Sequence, residues 1–389
     1  TQLKSGGQKE TPFLVVTVVG LGCDSTPPVI SALQPTDGAL LNISRPALSA
    51  SYADNSGGAG IDTASVRVVL DGGDITTNCT VGGASVSCAP ATPLPEGGHT
   101  VAVSVSDLLQ NSATLNWRFT TDTTPPKVAI TSPANNQYLG ASSVTVSGTI
   151  DDPTAVVTVN GKAATINGAT FSVANVPLLE GANTLTVSAV DPAGNRTESS
   201  IKVIVDTTLP QVTVTTPADG SFTSSSTTKV EGFVSEPPVS VLVNGRPATI
   251  SGKDFTLSDF VLAEGTNTLT VEAADPASHK GIAIVTVNLD TVSPSITVDS
   301  PKDGFLTRNP LLTVKGRVGE PVTSFTVNST PIPVNDLVFS TDLTLIEGPN
   351  TIVLEAKDRA ANKGTATITV ILDSTSPLAP ALESLVTPT

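Results

Sequence analysis

The sequence predicts an all-β chain of four tandem antiparallel β-sandwich domains arranged as an elongated rod. Three observations predict it. Segments 123–206, 207–290 and 291–373 are nearly equal in length and align end to end. Within each, turn residues recur roughly every 8–12 positions, the spacing of short strands in a sandwich. Between the turns, apolar and polar residues alternate, and no stretch holds a helical period.

Each repeat opens on a proline-bearing linker: Thr123-Thr-Pro-Pro126, Thr207-Thr-Leu-Pro210 and Thr291-Val-Ser-Pro294. An alternating run follows, then Ser/Thr-Pro and a turn, as in Pro217-Ala-Asp-Gly220 and Pro301-Lys-Asp-Gly304. The next strand ends at Gly148, Gly232 or Gly316. A further strand runs into Asn160-Gly161, Asn244-Gly245 or Asn328-Ser329. Asn-Gly between alternating residues marks a hairpin, because both positions tolerate positive φ. Phe171, Phe255 and Phe339 mark one strand, and Glu-Gly at 180, 264 and 347 marks a corner. A long alternating strand begins at Asn183, Asn267 or Asn350. It ends in an Asp-rich turn, and a last strand leads to the next linker Asp.

Residues 25–122 read as a longer, diverged copy, with Thr26-Pro-Pro28, Pro35-Thr-Asp-Gly38, Asp71-Gly72 and Glu96-Gly97 at corresponding places. Its added length holds a Gly-rich loop, Asn55–Asp62, and a hairpin carrying Cys79 and Cys88. These two cysteines read either as a local disulfide, which implies an oxidising compartment, or as two small buried thiols. Cys23 is left over, free or paired outside this chain.

Val-Asn-Gly at 159–161 and 243–245, Leu-x-Glu-Gly-x-Asn-Thr-Leu at 178–185 and Ala-x-Asp-Pro-Ala-Gly-Asn at 189–195 carry a family resemblance. Copies two to four resemble bacterial immunoglobulin-like repeats of the kind found as accessory modules of glucodextranase-like enzymes. Copy one resembles a sister family through Gly60-Ile-Asp62, Val69–Gly72 and Leu94–Thr100. The resemblance implies an immunoglobulin-like fold and exported, extracellular or cell-surface use. Such modules serve as stalks, spacers or binding units, so the fold alone does not name the function.

The ends suggest extra strands. Segment 1–24 resembles the final strand of a preceding repeat plus a linker, its apolar positions being Phe13, Leu14, Val15, Val16, Val18 and Val19. Segment 374–389 resembles a linker or the start of a further repeat. An exposed apolar strand needs a cover. Three accounts stay open: a piece of a longer array, a donor strand that completes a neighbouring copy's sheet, or a strand folded back on the first domain.

Composition narrows the chemistry. Lys plus Arg is 20 against 35 Asp plus Glu, a net charge of −15, which argues against a nucleic-acid surface. Aromatics are 3%, too few for a stacking platform. No apolar run approaches the ~18–20 residues of a membrane span. Two histidines, His99 and His279, sit in different copies at turn positions that do not correspond, so neither reads as part of a nucleophilic triad. Clustered Cys/His zinc spacing is absent, and the chain reads as non-enzymatic.

One constellation remains. Each junction carries a linker Asp, an acid before proline, and an Asp at the last turn. These are Asp122, Asp152 and Asp191; Asp206, Glu236 and Asp275; Asp290, Glu320 and Asp358. In a sandwich these loops share one end, so the three carboxylates are expected to converge. Converging oxygens suit Ca²⁺; the competing reading is that each acid accepts N–H bonds within its own turn. The expected function is an extracellular structural or adhesive protein, a stalk or filament building block. It would join other copies of itself, flanking domains, or a surface or glycan ligand. The alternative is an accessory or carbohydrate-binding part of a secreted polysaccharide-active enzyme.

Overall fold

The computed structural model describes residues 24–376. The strand residues Phe13, Leu14, Val15, Val16, Val18 and Val19, together with Cys23 and the tail 377–389, lie outside the described residues. The chain divides between Val205 and Asp206 into two compact units, each holding two sandwiches. Among the described residues the only helical piece is a single 3₁₀ turn, Thr76–Asn78.

Every sandwich packs a four-stranded sheet on a five-stranded one. In copy two the first sheet runs Val128–Ser132, Ser143–Ile150, Thr170–Pro177, Thr165–Asn167. The second runs Gln137–Leu139, Arg196–Val205, Gly181–Val190, Val156–Val159, Lys162–Ala163. The other three sandwiches repeat this order. The inner faces close over Val, Leu and Phe cores, such as Val146, Val159, Phe171, Leu185 and Val187 in copy two.

The sheets are not wholly antiparallel. Gln137–Leu139 pairs parallel with Val203–Val205, and each sandwich has the same parallel edge. The turn before it makes this possible. Asp219 Oδ1 accepts the Thr286 N–H at 2.8 Å while the Gly220 N–H donates to the Thr286 carbonyl at 2.9 Å. Asp303 and Gly304 grip Thr369 in the same way. The Pro-x-Asp-Gly signature therefore seats a three-residue strand against the last one.

The third strand does not end at its glycine but runs two residues further, to Ile150, Val234 or Val318, and the glycine within it has a steric cause. Gly148, Gly232 and Gly316 pair across the sheet with Phe171, Phe255 and Phe339. A Cβ on Gly232 would lie 2.0 Å from the Thr213 carbonyl oxygen and 2.7 Å from the Phe255 ring. The ring thus covers bare backbone. The hairpin Asn160-Gly161 takes positive φ at both positions, and Asn328-Ser329 in copy four does so as well.

Copy one lacks the Gly–Phe pair. Its core holds Tyr52, Trp117 and Phe119, and the single proton of the Tyr52 hydroxyl is shared between the carbonyls of Gly82 at 2.7 Å and Ser85 at 2.9 Å. Cys79 and Cys88 are disulfide-bonded, directly opposite each other on neighbouring strands.

Gly232→Ala should destabilise the protein by about 1–3 kcal/mol, the range for overpacking, in denaturant unfolding. The cost should shrink in a Phe255→Ala background, because the removed ring is one of the two clashing groups.

Candidate functional site: the acidic junctions

The last turn of every sandwich buries an aspartate. Asp107, Asp191, Asp275 and Asp358 are 0%, 6%, 1% and 3% exposed. A buried carboxylate is tolerated only where donors replace water. The backbone N–H four residues on supplies one, to Oδ1, from Asn111, Asn195, His279 and Asn362 at 2.8–2.9 Å. In copies one, two and four the asparagine amide supplies another to Oδ2, at 2.6, 2.9 and 2.9 Å. The same amide also donates to the linker Asp carbonyl: Asn111 to Asp24 at 3.0 Å, Asn195 to Asp122 at 2.7 Å, Asn362 to Asp290 at 2.6 Å. The asparagine thus fastens the incoming linker to the sandwich that follows it.

The preceding sandwich grips the next linker residue. Glu96 accepts from both the N–H and the hydroxyl of Thr123, Glu264 from those of Thr291, and Glu347 from those of Ser374. The Thr123 hydroxyl, then its N–H, hold the Glu96 carboxyl below its ordinary range. The glycine after each glutamate has positive φ, so the corner needs both residues of the Glu-Gly pair.

The convergence of three acids occurs in only some copies. Asp290, Glu320 and Asp358 each offer an oxygen within 4.8 Å of the others. Burial, then the Asp290 and Asp358 carboxylates, push the Glu320 carboxyl above its usual range. In copy three, Asp206 and Asp275 close to the same distance with His279. Glu236 stands beside them, raised by burial, by both aspartates and by a hydrogen bond with Asp206, with Lys253 opposing. Copy two departs from the expectation: Asp122, Asp152 and Asp191 do not form such a group among the described residues. Asp152 folds back on its own turn, accepting the Thr154 N–H at 2.8 Å and hydroxyl at 2.6 Å. Glutamate at 320 is one methylene longer and reaches the other two acids. Asp122 caps the Thr124 N–H at 3.2 Å.

Copy one assembles a group that the sequence pattern did not single out: Asp24, Asp54 and Asp107. Here N–H donors answer the charge. Asp24 accepts from Thr26 and Ala59 N–H and from the Asn55 amide, and those bonds hold its carboxyl low. Asp54 accepts from Asn55 and Gly60 N–H. The Gly-rich loop is what brings these N–H groups to bear. A Cβ on Gly58 would sit 2.4 Å from the Asn55 side-chain oxygen.

The family model for glucodextranase domain B matches the chain three times, at residues 126–207, 210–291 and 294–374, more than half its length. The chain belongs to that family. Bacillopeptidase F of Bacillus subtilis (strain 168) is 33% identical over 171 residues, 42% of this chain but only 12% of that protein. Among solved structures, the fibronectin(III)-like modules of Clostridium thermocellum CbhA are 19% identical. That match covers 42% of this chain and 94% of theirs, with a TM-score of 0.30. A tetra-tandem repeat from the extending region of a large adhesion protein is also 19% identical. It covers 90% of this chain and 100% of its own, with a TM-score of 0.31.

Against the domain B repeats, copy one's His99 needs correcting. It is not a turn residue but lies within the strand Gly97–Asp107, two residues after the corner glycine, where the repeats have Asn183, Asn267 and Asn350. Those asparagines bond the corner carbonyls of Leu179, Ala263 and Ile346. His99 does the same to Pro95 at 3.0 Å, with Asp71 on its Nδ1 at 2.7 Å. It is 3% exposed, and its place is structural. No helix among the described residues is long and apolar enough to cross a membrane.

Burial and the neighbouring aspartates hold the Glu320 carboxyl above its ordinary range in the folded state, so between its unfolded and folded values the fold binds more protons than the unfolded chain. Stability therefore falls as pH rises through the window between the two values. With chelator present at pH 7, Glu320→Gln should raise the melting temperature by about a few °C and flatten its pH dependence in that window. An unchanged or lowered melting temperature would contradict this.

Proposed function

We propose that the chain is a non-enzymatic, extracellular or cell-surface bacterial spacer, its domain B repeats acting as accessory modules that hold flanking parts at a set distance. The observation that carries this reading is the two-sided grip on the linker. Asn362 of copy four holds the Asp290 carbonyl while Glu264 of copy three holds Thr291, the next residue. Asn195 and Glu96 do the same at Asp122 and Thr123. A linker bonded residue by residue to both neighbours suits a part whose task is orientation. The names of the family and of the relative, a glucodextranase and a peptidase, fit modules that accompany an enzyme elsewhere in a longer protein.

Within this reading, a hard cation at Asp290, Glu320 and Asp358 would stiffen the junction between copies three and four. Added Ca²⁺ should then raise the melting temperature of the parent protein and leave that of Glu320→Gln unmoved.

The spacer reading is tested by spin labels at exposed Ser225 and Ser340 in a Cys23→Ser background. A narrow distance distribution is expected, broadened by Glu264→Ala with Asn362→Ala. A distribution already broad in the parent protein would defeat the reading.

A second reading, glycan binding, has one observation in its favour. Copy one carries an open depression of about 510 Å³ on its five-stranded sheet, with Asp37, Thr100, Asn116 and Arg118 among its lining residues. Polysaccharide retardation in affinity electrophoresis, abolished by Arg118→Ala, would support it; no retardation would remove it.

A further inference from the structure

Copy three breaks the junction pattern at one residue. Where copies one, two and four place Asn111, Asn195 and Asn362, copy three places His279. An amide nitrogen can only donate, but an imidazole nitrogen can also ligate a metal.

The surroundings suit that change. Asp206, Asp275 and His279 each present a ligand atom within 4.8 Å of the other two. The Asp275 side chain is fully buried and oriented by the His279 N–H on Oδ1 at 2.9 Å, while its Oδ2 lies 3.1 Å from His279 Nδ1. Glu236 stands next to Asp206 and Asp275, outside the group of three. His279 is 22% exposed at its side chain, so an ion can reach the site from solvent. Copy four supplies an internal comparison. It has the corresponding Asp290, Glu320 and Asp358, but with Asn362 in the histidine's place it offers oxygen only.

Donor type decides the class of ion. All-oxygen sets suit Ca²⁺ or Mg²⁺, whereas imidazole with carboxylates suits Zn²⁺ and its first-row neighbours. We propose that Asp206, Asp275 and His279, with Glu236 beside them, form a binding site for a divalent transition ion of the zinc class, peculiar to copy three. Binding requires neutral imidazole and ionised carboxylates, so it releases protons and weakens as the pH falls. The ion would neutralise the crowded acids where the linker meets copy three. The proposal does not depend on the spacer reading.

The test is calorimetric titration of chelator-stripped full-length chain with ZnCl₂, with Co²⁺ absorption as a second readout. The expected result is one zinc equivalent per chain and a Co²⁺ visible spectrum. His279→Asn, which installs copy four's residue, should weaken zinc binding by about tenfold or more and abolish the cobalt spectrum. Asp206→Asn, on the linker outside the core, is the second variant should His279→Asn fail to fold, and it too should weaken zinc. Absence of zinc heat in the parent protein, or zinc affinity unchanged in a folded variant, would overturn the proposal.

Discussion

A carboxylate sealed into the end of a β-sandwich sets the terms for everything around it. Asp107, Asp191, Asp275 and Asp358 have almost no contact with water, so each must find N–H donors or cost the fold several kcal/mol. The backbone turn supplies one donor at the fourth residue on, and in three copies the asparagine side chain at that residue supplies another. That side chain still has a second hydrogen, and the linker carbonyl accepts it. Solving a burial problem in one turn thus fixes where the chain enters the domain. In those copies it also ties the linker aspartate's backbone to the buried aspartate's turn.

The crowding is then resolved differently from copy to copy. Copy one answers with backbone N–H groups from an inserted loop. Copy two lets Asp152 turn away to its own threonine. Copies three and four bring in a glutamate whose charge is disfavoured first by burial and then by the aspartates around it. The same architecture therefore holds three electrostatic situations, and one methylene of side-chain length separates two of them.

Much of this was legible in the sequence because repetition exposed it. The Asn-Gly hairpins, the Glu-Gly corners and the paired Gly and Phe positions recur at fixed offsets, and each has a local physical cause. The parallel edge was not legible, since Gln137–Leu139 and its counterparts are three residues long and carry no alternation of their own. Asp54 was hidden in an insertion without a counterpart in the other copies. The junction asparagines recur four residues after the buried aspartate, a usable signal. Their second bond, however, reaches a residue 72 to 87 positions earlier, and only the folded chain shows it. His99 was misplaced because histidine stands where the repeats have asparagine, so the shared position went unseen.

The short parallel edge bears on how a sandwich would respond to being pulled by its termini. Gln137–Leu139 lies near the start of copy two and pairs with Val203–Val205, at its end, both running the same way. Tension on the two ends would draw these strands past each other along their length. The ladder between them would be loaded in shear, its hydrogen bonds sharing the force at once, whereas a terminal antiparallel hairpin would peel open one bond at a time. Three residues and the turn that seats them give each sandwich a mechanical latch between its second and last strands.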